Sequence, residues 1–174
     1  MEYSSRPERS DEPAGGVIRE VDTALCRLLG SRLPQGVEVR LEPPTPTWIN
    51  EANPLPAVHV FLYELRAGRA HRPARDLELS YLVAARAGSV AGEHELLGEA
   101  LDALTAQESG QPVAVRLAEH GVGGLWSALG MPARAAFVIS VTATLPATPD
   151  AEGAAPGGTA VPLQSDSRGW RLPS

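Results

Sequence analysis

At 174 residues and 18.3 kDa, with 43% hydrophobic and 21% charged residues, the chain can hold one ordinary core and is too short for two domains of typical size. A formal charge of −6, a sequence pI near 5.2 and the lack of an arginine stripe exclude the electrostatic footprint of a nucleic-acid binder. A single cysteine, Cys26, excludes an intrachain disulfide and a thiolate-built zinc site, and no apolar run approaches the roughly eighteen residues of a membrane span.

The first sixteen residues, MEYSSRPERSDEPAGG, are polar and charged and carry no apolar signal core. Residues 1–16 are expected to form a flexible arm, and the chain reads as cytosolic, without a secretion signal of its own. All fifteen basic residues are arginine, which GC-rich codon usage explains most simply. From Val17 the pattern changes. Val17, Ile18, Val21, Leu25, Leu28 and Leu29 recur at steps of three and four, which predicts a helix with one apolar face, stopped by Gly30 and Pro34.

The run GVEVRLEP alternates Val37, Val39 and Leu41 with Glu38, Arg40 and Glu42, the pattern of a half-buried strand. A loop with five prolines follows, Leu41 to Pro56. Next, AVHVFLYEL places Val58, Val60 and Leu62 on one side and His59, Phe61 and Tyr63 on the other, which predicts a strand covered on both faces. RDLELSYLVAAR alternates with Leu77, Leu79, Tyr81 and Val83 inward, and it can pair with its predecessor through a turn in RAGRAHRPA.

A second helix is expected from Gly92 to about Gln107, with Leu96, Leu97, Ala100, Leu101 and Leu104 as its stripe. VAVRL reads as a short edge strand, GLWSALG as a short helix or turn, and RAAFVISVTATL as a last strand with Phe137, Ile139 and Val141 on one face. From Pro146 onward the composition falls to Ala, Pro, Gly, Thr and Asp, which predicts a disordered tail over 147–174. The order α-β-β-β-α-β-α-β, without regular βαβ alternation, predicts an α+β domain over 17–146, a mostly antiparallel sheet with two main helices packed on it.

Catalytic patterns fail one by one. HELLG, His94 to Gly98, begins like a zinc-protease motif but has Gly98 where the second histidine belongs. The Gly121–Gly124 run lacks the Gly-Lys of a phosphate loop, and without lysine there is no Schiff-base chemistry. Ser89 and Ser127 lack the nucleophile-elbow spacing, and His59 in an apolar strand reads as a core or interface histidine. Cys26 reads as a small, partly buried residue. No catalytic residue, cofactor or metal is expected.

What remains is contact surface. Pro43, Pro44 and Pro46 restrict themselves and the residues before them to extended conformations, so Trp48 sits on a pre-ordered arm. Either the arm presents Trp48 to a neighbouring subunit, or it folds back and Trp48 covers the domain's own sheet.

Five segments carry a resemblance: VIREVDTALCRLL, VEVRLEPPTPTW, LPAVHVFLYELRAGRAHRP, LELSYLVAARAGSVAGEHELLGEAL and GLWSALGMPARAAFVISVTATL. In this order they resemble the N-terminal domain of the cap, or tail-terminator, proteins of extracellular contractile injection systems of the Photorhabdus virulence cassette type. The resemblance implies a tail-terminator-like fold and a structural, non-enzymatic part of a phage-tail-like particle. It further implies a hexameric ring that ends the inner tube and the contractile sheath, with those proteins and itself as partners and no nucleic acid or membrane span. Pro43, Pro44, Pro46 and Trp48 are then the expected interface. The alternatives are a monomeric adaptor or chaperone for sheath subunits, and a small hydrolase built on His59 or His94 within a deep polar pocket.

Overall fold

The computed structural model describes residues 14–50, 54–71, 74–106, 113–119 and 121–145. Helix α1 (Ala14–Gly30) is followed by β1 (Glu38–Arg40), a 3-10 helix (Pro46–Asn50), β2 (Ala57–His71), β3 (Ala74–Arg86), α2 (Val90–Thr105), β4 (Ala114–Leu117), α3 (Gly123–Ala128) and β5 (Ala136–Leu145). The strands form one sheet in the order β1-β2-β3-β5-β4. Among the described residues only β1 and β2 run parallel, so the architecture is the expected α+β with a mostly antiparallel sheet.

Strand periodicity divides the sheet into two faces. Val58 and Val60 of β2, Leu79, Tyr81 and Val83 of β3, Ile139 and Val141 of β5 and Val115 of β4 meet Val21, Leu25 and Leu29 of α1 and Ala100, Ala103 and Leu104 of α2. Each fully buried Val or Leu there contributes about 1.5–3 kcal/mol, so this helix-covered face holds most of the fold's apolar stabilisation. Tyr81 also donates its hydroxyl to Asp22 Oδ1 at 2.8 Å, which fixes the azimuth of α1 over the sheet. At the start of α2, Ser89 Oγ accepts from the Gly92 N–H at 3.1 Å and satisfies one of the orphan donors of that helix end.

Several boundaries differ from the sequence expectation. Helix α1 begins at Ala14, taking Ala14–Gly16 out of the expected arm; residues 1–13 and 146–174 lie outside those described. The alternation around Val37–Leu41 yields only three strand residues. The stretch expected as the β2–β3 turn continues as strand to His71 and resumes at Ala74. Register shifts at Leu62/Glu64 and Ala67/Ala70 absorb irregularities in that hairpin. At the second shift a Cβ on Gly68 would lie 2.9 Å from Asp76 Cβ, so only glycine lets the strands close there. Helix α2 starts at Val90 rather than Gly92, because Ser89 caps it.

Candidate interaction surface

The parallel pairing of β1 and β2, Glu38 beside Ala57 and Arg40 beside His59, dictates the proline loop. After Arg40 the chain must return to the level of Glu38 before β2 can start, and parallel neighbours need a crossover of about a dozen residues or more. The crossover runs between Leu41 and Pro56, and its described part up to Trp48 lies on the sheet face that the two long helices leave uncovered. Pro46 opens the 3-10 helix, where its missing N–H costs nothing, and the Trp48 N–H donates to Thr45 O at 3.0 Å.

Trp48 is 8% exposed and packs with Leu82, Ala84, Trp126, Met131 and Val138, a second apolar cluster on the loop-covered face. Its ring meets His59 edge-on at 4.2 Å between centroids, and the Arg86 guanidinium lies 5.9 Å from its centroid, within cation–π range. Of the two readings of the loop, the structure therefore has the fold-back: Trp48 covers the domain's own sheet and is not presented outward. Among the residues singled out from sequence, Pro44 is buried with it, Pro43 is half-buried, and Pro46 faces solvent with Thr45 and Thr47.

Trp126, 1% exposed, completes the cover from α3. That six-residue helix ends with Gly130 at φ 67°, the Gly130 N–H on Ser127 O at 3.1 Å and the Met131 N–H on Trp126 O at 2.9 Å. This is a Schellman ending, which turns Met131 back into the same cluster. The sequence signal for it was LGM after an apolar pair, legible only once a helix is known to end there.

His59 is 2% exposed, and its Nδ1 lies 3.0 Å from the Glu42 carbonyl. Burial pushes its pKa down; the Glu42 carbonyl opposes this and the Arg40 charge adds to it. His59 is packed beneath Trp48, and His94 is exposed on α2. The Ser89 hydroxyl is taken up by the helix cap and the Ser127 hydroxyl faces Gly123 O at 3.5 Å. No group of three or more His, Cys, Asp or Glu among the described residues is placed to hold a metal.

An open strand edge and a shallow groove lie on the described surface. Strand β1 pairs only with Ala57–His59, so the outer edge of β2 from Val60 to His71 has no strand partner among the described residues. Leu41, 39% exposed, marks the point where β1 leaves the sheet, and Leu65 on the open stretch is 49% exposed. Beside Leu41 runs a shallow groove of about 380 Å³ lined by Arg19, Asp22, Thr23, Cys26 and Arg27 of α1. The Cys26 thiol in its wall is raised by burial and then by the Asp22 charge, which makes it a poor nucleophile. No helix among the described residues is long and apolar enough to cross a membrane.

A family model described as the Pvc16 N-terminal domain matches residues 20–157. No curated protein matches the sequence. Among solved structures, the chain is similar to the sheath/tube terminator of the extracellular contractile injection system PVC in its extended state, with TM-score 0.62 and 19% identity over 87% of this chain and 64% of that one. It is also similar to the tube-terminating cap of the anti-feeding prophage, with TM-score 0.60 and 17% identity over 87% of this chain and 60% of that one. The chain thus spans less than two thirds of the length of either, and the likeness is one of fold.

Proposed function

We propose, because the chain belongs to the Pvc16 N-terminal domain family, that it is a structural cap of a contractile injection particle. The family match over most of the chain carries this reading, and two solved structures of similar fold are a sheath/tube terminator of a contractile injection system and a tube-terminating cap of the anti-feeding prophage. In this role six copies close into a ring on the last ring of tube and sheath, stopping elongation and holding the sheath end. The ring assembles in the bacterial cytoplasm and leaves with the particle. The capping unit is the domain of residues 17–146, and its work is contact, not chemistry.

The fold supports this with a ready attachment point. The open β2 edge offers backbone N–H and C=O groups that have no strand partner among the described residues and that an added strand from a sheath or tube subunit would satisfy, while Arg19 and Arg27 line the groove beside Leu41. The Thr45–Thr47 tip of the crossover, with Pro46, is a second contact in the ring, and Pro43, Pro44 and Trp48 act from beneath by fixing its shape.

The test is to tag the protein at its C-terminus, purify sheath-containing particles, and locate and count it by electron microscopy and mass spectrometry. Six copies at a single end are expected. Absence from intact particles would overturn the cap and leave an adaptor that binds sheath subunits only in passing.

A further inference from the structure

Beside the apolar cluster around Trp48, one buried polar side chain holds the folded-back crossover. His59 touches the loop at both ends of residues 42–48: its Nδ1 bonds the Glu42 carbonyl at 3.0 Å and its ring receives Trp48 edge-on at 4.2 Å. A carbonyl can only accept, so Nδ1 carries the hydrogen, and in the neutral ring Nε2 holds the lone pair. Nε2 is buried without a hydrogen-bond partner among the described residues. A second proton would therefore place a cation on a side chain that is 2% exposed.

The charges around it are mixed. Arg40 on β1 disfavours a second cation, and Arg86 on β3 lies over the same Trp48 ring. Glu93 of α2 acts on Arg86 but is itself clamped by Arg134 at 2.6 and 2.7 Å. Glu42, on the loop, favours the charged form through its carbonyl and its carboxylate. Burial outweighs Glu42 and holds His59 below its ordinary value of 6.5.

We propose that His59 is a latch for the crossover: neutral, it holds residues 42–48 on the sheet, and protonated, it releases them while the rest of the fold stays closed. Freed from the sheet, His59 regains water and its ordinary proton affinity, so the open loop binds the proton more tightly than the closed one. The closed state is favoured fully above about pH 6.5 and loses ground as the pH falls below it. Release would expose Trp48 and change the Thr45–Thr47 tip. The latch depends on the loop geometry and not on the cap assignment.

The full chain labelled with 5-fluorotryptophan gives one fluorine resonance each for Trp48, Trp126 and Trp170, assigned by single Trp→Phe variants. Between pH 7.5 and 5.0 the Trp48 signal is expected to shift toward the solvent-exposed position, with the open population rising by up to about thirtyfold, the limit for a histidine of ordinary pKa that titrates only when open. Trp126, on the same face but held by α3, should stay in place. His59→Phe should abolish the pH response, and if that variant does not fold, His59→Asn keeps a donor at the Nδ1 position and should also be flat. A wild-type Trp48 signal without pH dependence would overturn the latch. So would a transition that survives in these variants, or one in which Trp126 moves together with Trp48.

Discussion

The two faces of the sheet are covered by different means. On one side α1 and α2 lay down stripes at helical spacing, so that Leu25, Leu29, Ala100 and Leu104 are each replicated by neighbours a turn away. On the other side the cover comes from single large side chains, Trp48 from the crossover and Trp126 from a six-residue helix, with Met131 turned in behind them. That cover stops halfway. Beyond it the same face carries Glu64, Arg66, Asp76, Glu78, Ser140 and Thr144, joined by Ser140 Oγ to Glu78 at 2.7 Å, Thr144 Oγ1 to Asp76 at 3.0 Å and Arg66 to Glu64 at 2.9 Å. The helix-covered face is redundant; the loop-covered face depends on a few anchors and leaves a polar half open to contact.

The sharpest way to break this comparison is to delete one anchor on each side. Trp126→Ala should cost about 3–5 kcal/mol in denaturant unfolding, since removing a fully buried indole leaves a cavity that its neighbours fill only in part. Leu25→Ala should cost about 2–5 kcal/mol, toward the lower end, because α1 can settle on the remaining stripe. If Leu25→Ala proves the more damaging, the loop side is a lid and not a second core. Trp48→Ala should cost less than Trp126→Ala, about 2–3 kcal/mol, as the crossover can lift without disturbing a helix. Unchanged stability with lost particle assembly would instead make Trp48 a direct contact residue.

The same contrast governs what the sequence discloses. The helix-covered face was legible because period 3.6 in Val17–Leu29 and period 2 in Leu77–Val83 both name the residues that meet there. Trp48 stood out as a large aromatic on a stiff loop, yet its direction was not legible. That depends on β1 and β2 being parallel, which no local pattern encodes, and a three-residue β1 gives no hint of its partner. Trp126 and Met131 were hidden for a similar reason: each sits at a non-periodic position, and their meeting depends on one glycine at positive φ. The tip of the long hairpin looks like a loop in sequence because of Gly68 and its arginines, whereas register shifts carry the strands on to His71 and from Ala74.

Smaller changes refine the comparison. Tyr81→Phe keeps the apolar contact on the helix-covered face and removes the bond to Asp22, at a cost of about 1 kcal/mol because Asp22 is half-exposed and can turn to water. The Tyr81 phenol is held far above its ordinary value, by burial first and then by Asp22; Tyr63 on the other face is raised by burial in the same direction. The unfolded chain releases these protons near pH 10 while the folded one retains them, so stability is complete below about pH 10 and falls as the pH rises beyond it. Tyr81→Phe should flatten that fall in a pH series of unfolding midpoints, and an unaltered slope would mean that the Tyr81 phenol is not the group that the fold holds protonated.

The smallest expected effect tests the polar half of the loop-covered face. Ser140→Ala removes the hydroxyl that donates to Glu78, but the carboxylate is only half-buried and water can replace the lost donor. The expected loss is below about 1 kcal/mol in the unfolding midpoint. A loss well above that, comparable with Trp48→Ala, would show that the polar ladder is as much a part of the fold's cohesion as the aromatic anchors. A near-neutral result would leave Ser140, Glu78 and their neighbours free to vary with whatever surface they meet, as expected of the half that faces outward.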